Sequence, residues 1–304
     1  MLPTQPVAAL SRFPDGGAIE GTLKASDGYE LFYRRWSPPQ AVSVRSRICV
    51  LHGIQSHSGW YGYSSRQLAD CGHEVWFPDR RGSGKNQINR GHADHWRRLV
   101  ADVVQFLHQL RGMSTAANPV PVILMGVSWG GRLATAVAGQ RPELVEGLGL
   151  LYPALVPRIR PTRWQKFRLG LAKLFGKHRI SVPIPLDDPA LFTQDPVWQA
   201  AIRDDPWALH EVTTGFLIAN RELDALIRQA AEQIRCPALM MLAGQDRIIE
   251  NPQTRALFEQ FRHARRTFRE YPTACHTLEF EPDRQQYVND LAKWLDEVVS
   301  TRNR

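Results

Sequence analysis

Residues 120–139 read VPVILMGVSWGGRLATAVAG, an apolar strand pattern that runs through a tight turn into a helix of small residues. At the junction stands Gly126-Val127-Ser128-Trp129-Gly130. A serine between two such glycines, with a strand before it and a helix after it, occupies a sharp and strained turn. The chain passes close to itself there, so side chains at 126 and 130 would clash, and glycine removes the clash. The Ser128 hydroxyl is then exposed at the carboxyl edge of a sheet. It also lies beside a helix N-terminus, whose N–H groups can face an oxyanion.

Outward from this stretch, strands and helices alternate. Towards the N-terminus, residues 21–25 and 29–36 form a hairpin pattern around the turn Ser26-Asp27-Gly28. Residues 47–51 and 74–77 are further strands, with helix patterns at 61–69 and 96–110. Towards the C-terminus, strands are expected at 148–152, 238–243 and 267–271, and helices at 254–261 and 286–298. This alternation predicts an α/β fold with a mostly parallel central sheet and helices on both faces. It stops between 153 and 235, where Pro, Trp and charged residues suggest helical pieces joined by proline turns. The expected organisation is a core of residues 1–152 and 236–304 with an inserted helical cap of residues 153–235. The cap would lie over the carboxyl ends of the strands, where open α/β sheets carry their sites.

A serine hydroxyl needs a base to take its proton. In this strand order the acid and the histidine follow the serine in the chain. Four histidines follow Ser128: His178, His210, His263 and His276. The first two fall in the insertion, and His263 sits in a basic helix end. His276, in a loop after the strand ending at Tyr271, is the candidate base. Asp246 follows the strand at 238–243 and is the candidate acid, with Glu250 as runner-up. Two backbone N–H groups should hold the oxyanion: that of Trp129, after the nucleophile, and that of Ile54, in the loop after His52-Gly53. His52 is expected to brace that loop.

Other motifs carry less. Gly82-Ser83-Gly84-Lys85 resembles the end of a phosphate loop, but Asp79 replaces the first glycine and Asn86 the required Ser or Thr. His92, Asp94 and His95 have no second ligand cluster to make a metal site, and Asp94 is better taken as a helix N-cap. Cys49, Cys71, Cys236 and Cys275 show no CxxC spacing and are expected as free thiols. The first 13 residues lack a secretory pattern, and no apolar run reaches transmembrane length. The expectation is a cytoplasmic protein, with peripheral membrane association as an alternative.

Taken together, the motifs resemble the monoacylglycerol lipase and lysophospholipase branch of the α/β-hydrolases, also grouped with serine aminopeptidase-like hydrolases. His52-Gly53 with His57-Ser58-Gly59 and Tyr61 is similar to the branch's HGxxxHSxxY signature. Asp79 to Gly84 is similar to its DxxGxG loop. The elbow at Ser128, the GxD at Asp246 and His276-Thr277 follow in the branch's order. Trp60 stands where the branch often has Arg, Gln55 where Gly is common and Asn86 where Ser is common. The resemblance implies an α/β-hydrolase fold and hydrolysis of carboxylic esters through an acyl-enzyme. It favours a monoacylglycerol or lysophospholipid substrate, with no metal or organic cofactor. An amide or peptide hydrolase with the same triad is the alternative within enzymes. A catalytically weak ligand-binding protein is the alternative outside them.

The formal net charge of +8 has a local source. Residues 154–186 contain eight Lys or Arg and no Asp or Glu, which points to a local feature and not to nucleic-acid binding. Within them Trp164, Phe167, Leu171, Leu174 and Phe175 recur at helical spacing, flanked by basic residues. Two readings are open. In one, the apolar face of this cap helix covers the pocket; in the other, the helix docks on an anionic membrane surface.

Overall fold

The computed structural model describes residues 13–115, 118–159 and 162–302. The first twelve residues, Arg160 and the side chain of Lys166 lie outside them. An eight-stranded sheet forms the centre. In chain order its strands are β1 (Ile19–Lys24), β2 (Glu30–Trp36), β3 (Ser46–Leu51), β4 (His73–Pro78), β5 (Val122–Val127) and β6 (Gly147–Leu151). After the insertion, which contributes β7 (Ser181–Pro183) and β8 (Glu211–Thr213), come β9 (Ala238–Ala243) and β10 (Arg266–Tyr271). The spatial order is β1-β2-β4-β3-β5-β6-β9-β10. The hairpin β1–β2 joins β4 antiparallel, and every other neighbouring pair in this sheet is parallel.

Burial explains the sequence patterns. Every residue of β3, β4, β5, β6 and β9 is buried, so these strands read as nearly continuous apolar runs and not as alternations. Around the sheet pack α1 (Gly62–Asp70), α2 (Trp96–Gly112), α3 (Trp129–Gln140), α7 (Asn251–Phe258) and α8 (Arg284–Arg302). Residues 129–138 of α3 are all buried, because that helix lies between the sheet and the long α6 (Thr214–Gln233) of the insertion. A helix covered on every side has no room for a charged face, which accounts for its small residues.

Two expectations need correction and one an addition. The N-cap of α2 is His95, whose side chain accepts the Arg97 N–H, and not Asp94. Asp94 instead takes the His92 Nε2 at 2.8 Å. Second, the helical stretch 153–235 also holds one short strand pair. It contains α4 (Arg163–Leu174), α5 (Pro196–Arg203) and α6, but β7 and β8 pair antiparallel between them. Strands of three residues show too few alternations to be read, and the distance between them in sequence removes any hairpin signal.

The third concerns the apolar residues of α4 and its C-cap. Trp164, Phe167, Leu174 and Phe175 are 64%, 54%, 75% and 68% exposed, so this face does not cover a pocket. Among the described residues of α4 only Ala172 is buried, where α4 meets α6. Among the described residues no helix is long and apolar enough to cross a membrane.

Candidate active site

Ser128 joins β5 to α3 with φ 49° and ψ −118°. A left-handed φ in a non-glycine residue is strained and must be held by its surroundings. The surroundings are explicit. Ser128 N–H donates to the Leu151 carbonyl at 3.0 Å, and the Ser128 carbonyl accepts from Gly131 and Ala154 N–H at 3.0 and 2.8 Å. A methyl group at 126 would lie 2.5 Å from the Gly130 carbonyl oxygen, and one at 130 would lie 2.1 Å from that of Leu51. Only glycine lets the turn close against itself and against the end of β3.

Three chain ends meet over this turn. His276 lies in the loop after β10, and its Nε2 is 3.0 Å from Ser128 Oγ. Asp246 lies in the loop after β9, and its Oδ2 is 2.7 Å from His276 Nδ1. The other Asp246 oxygen accepts the Ile248 and Ile249 N–H groups at 2.8 and 3.0 Å. That carboxylate is therefore fixed at both ends, and it holds the imidazole with Nδ1 as donor and Nε2 free to accept a proton from the serine. Ser128, Asp246 and His276 are all buried. Water competes weakly for these bonds, and the low local dielectric strengthens them.

The remaining residues singled out from sequence fall as follows. Gly53 adjoins the serine: a methyl group on it would lie 3.4 Å from Ser128 Cβ. Trp129 opens α3, so its N–H is among those a helix cannot satisfy internally. Glu250 does not approach His276 but faces Arg158 at 3.7 Å. His263 is exposed. His52 is buried and accepts the Arg80 N–H on Nε2 at 2.7 Å. Asp79 accepts the Ser58 and Lys85 N–H groups, both at 2.8 Å. Burial works to raise its carboxyl, but the neighbouring His57 and these N–H groups outweigh it and leave it below the ordinary carboxylate value. It ties two loops together and offers nothing to a phosphate.

Sequence reasoning missed several neighbours. Tyr152 and Phe192 stand steeply inclined to the His276 ring, with centroids 5.0 and 5.9 Å away. The Phe192 carbonyl also accepts the Thr277 N–H at 2.9 Å, so the insertion touches the histidine loop directly. Asp205, in the insertion, accepts from the Trp60 indole at 2.6 Å and pairs with His57 Nε2 at 3.0 Å. The tryptophan that departs from the branch pattern thus donates a neutral N–H to a buried carboxylate. No spacing rule could have found these contacts, since Asp205 lies 145 residues beyond Trp60.

Comparison with known proteins gives a consistent picture. The family described as serine aminopeptidase, S33, matches residues 42–283. The chain is 25% identical over 280 residues to a monoacylglycerol lipase of Mycolicibacterium smegmatis, covering 91% of this chain and 96% of that protein. It is 24% identical over 284 residues to the human monoglyceride lipase, covering 92% and 91%. Among solved structures it is similar to a monoacylglycerol lipase of Paleococcus ferrophilus, with a TM-score of 0.75 and 25% identity, covering 88% of this chain and 99% of that one. The fold is that of the α/β-hydrolases, with a mostly parallel sheet and an inserted helical cap.

Proposed function

The chain belongs to the serine aminopeptidase S33 family of α/β-hydrolases, and on that premise we propose that it hydrolyses carboxylic esters through an acyl-enzyme on Ser128, with a monoacylglycerol or lysophospholipid as substrate. One observation carries this assignment: the unbroken hydrogen-bond chain from Asp246 through His276 to Ser128. The lipid class is supported by the relatives named monoacylglycerol and monoglyceride lipase.

In the proposed reaction His276 Nε2 takes the Ser128 proton as Oγ attacks the ester carbonyl. Asp246 stabilises the imidazolium that forms. The Ile54 and Trp129 N–H groups hold the oxyanion, each contributing about 3 kcal/mol to transition-state stabilisation. His276 then gives its proton to the leaving alcohol, and a water molecule repeats the sequence to release the acid. Residues 153–235 act as the cap over this site. Its helix α4, with exposed Trp164, Phe167, Leu174 and Phe175 among basic residues, serves as a peripheral contact with anionic lipid.

Fluorophosphonate should label Ser128, and Ser128→Ala should abolish turnover of p-nitrophenyl esters while the protein stays folded. Monoacylglycerols and lysophospholipids should be cleaved faster than aminoacyl anilides. Full ester turnover by Ser128→Ala would refute the nucleophile, and faster anilide cleavage would refute the substrate class.

A further inference from the structure

The oxyanion loop is held from behind by a side chain outside the triad. Arg80 follows Asp79 at the end of β4. Its Nη1 donates to the Gly53 carbonyl at 3.2 Å and its Nη2 to the Ile54 carbonyl at 3.0 Å. Its backbone N–H donates to His52 Nε2 at 2.7 Å. The other His52 nitrogen, Nδ1, lies 2.8 Å from the same Gly53 carbonyl. Since Nε2 is occupied as an acceptor, the neutral ring carries its proton on Nδ1 and donates it there. Burial, with Arg80 nearby, pushes the His52 imidazole down to about 3, so the ring stays neutral. Two donors therefore converge on one carbonyl oxygen.

The peptide unit is planar, and the Gly53 carbonyl and the Ile54 N–H point in opposite directions along it. Bonds that fix the carbonyl therefore fix the direction of the N–H. A cationic donor on the carbonyl also polarises the amide and makes the N–H a stronger donor. The same guanidinium stacks over the Trp129 ring, 4.7 Å from its centroid. It thus contacts both residues whose N–H groups are assigned to the oxyanion. The Trp129 ring is held in turn by Asn220 Oδ1 of α6, which accepts from its indole at 2.8 Å.

We propose that Arg80 is a positioning residue for catalysis, orienting and polarising the Gly53–Ile54 peptide so that the Ile54 N–H is a preformed oxyanion donor. This rests on the esterase reading of Ser128 and Ile54. Arg80 touches no reacting atom and acts through the backbone of the loop it holds.

The test compares the full-length wild type with Arg80→Gln and Arg80→Lys. Steady-state kinetics use a p-nitrophenyl ester, and binding uses two inhibitors of matched chain length. A trifluoromethyl ketone adds to Ser128 and develops an oxyanion; an unreactive amide occupies the same pocket without one. Arg80→Gln should lower kcat by about 10–100-fold with KM within about threefold. Affinity for the trifluoromethyl ketone should fall in parallel with kcat/KM, while affinity for the amide holds. Arg80→Lys, which can keep one carbonyl bond, should recover part of the loss. An Arg80→Gln enzyme within twofold of wild type would overturn the proposal, as would equal losses for both inhibitors, which is the signature of a loosened pocket. Should Arg80→Gln not fold, Arg80→Lys carries the same comparison, and unchanged kcat and ketone affinity there would overturn it. A wild type that neither turns over ester nor labels at Ser128 fails at the esterase reading itself and takes the proposal with it. Normal wild-type labelling and turnover with indifferent variants removes only the role of Arg80.

Discussion

At the scale of single residues, the site works by dividing the polar atoms of each group among fixed partners. Asp246 shows this most clearly: Oδ1 is occupied by two backbone N–H groups, and Oδ2 is left for His276. Asp246→Asn keeps the shape. Its Oδ1 would stay on Ile248 and Ile249, and its new NH₂ would face His276 Nδ1. The imidazole would then carry its proton on Nε2, where it cannot accept from Ser128. The expected loss is about 10³–10⁴ in kcat with little change in Tm, read by steady-state kinetics beside a thermal melt. A loss below tenfold would remove Asp246 from the assigned role. The convergence of Ser128, Asp246 and His276 was legible because each stands at the carboxyl end of a strand of one sheet. Arg80, Phe192 and Asp205 were not, because nothing local distinguishes a clamping arginine or a bridging aspartate from any other.

At the scale of elements, α4 is the exception to the burial pattern. A helix that displays Trp164, Phe167, Leu174 and Phe175 to solvent gains about 25 cal/mol for each Å² of apolar surface that a partner covers. Each nearby Lys or Arg adds about 1 kcal/mol at an anionic surface. Trp164→Ser with Leu174→Ser should therefore weaken cosedimentation with phosphatidylglycerol vesicles by about tenfold or more. Hydrolysis of a soluble short-chain ester should be unchanged. Raising the salt should weaken the wild type towards the variant. Equal sedimentation of both proteins would dismiss the membrane contact. The helix itself was legible from its spacing, but which way its apolar face points was not. That depends on the small contact through which α4 meets α6, and Ala172 is the one buried hydrophobic residue on it.

At the scale of the whole molecule, the insertion and the core are joined through buried polar groups. Asp205 pairs with His57 and accepts from Trp60. Burial opposes its charge, yet the bonds from His57, Trp60 and the Trp207 N–H leave its carboxyl below the ordinary value. A depressed carboxyl contributes stability above the unfolded value near 3.8 and loses it as pH falls through the folded value. Asp205→Asn should accordingly cost about 1–3 kcal/mol at pH 7. The gap to wild type should narrow as pH falls from about 4. Urea unfolding at a series of pH values checks this, and a gap that widens in acid would contradict the assignment.

Sequence alone determined the alternation that builds the sheet, the glycine-flanked turn at Ser128 and the chain order of the three polar side chains. Each of these is local or sequential: a period of apolar residues, a backbone that tolerates no Cβ, a loop placed after a strand. Only the tertiary structure decided which groups hold those residues in place. The grip of Arg80 on the Gly53–Ile54 peptide, the pairing of Asp205 with His57 and the outward face of α4 all join segments far apart in the chain. Their geometry is fixed when the sheet and the insertion pack together, and no residue pattern encodes that distance.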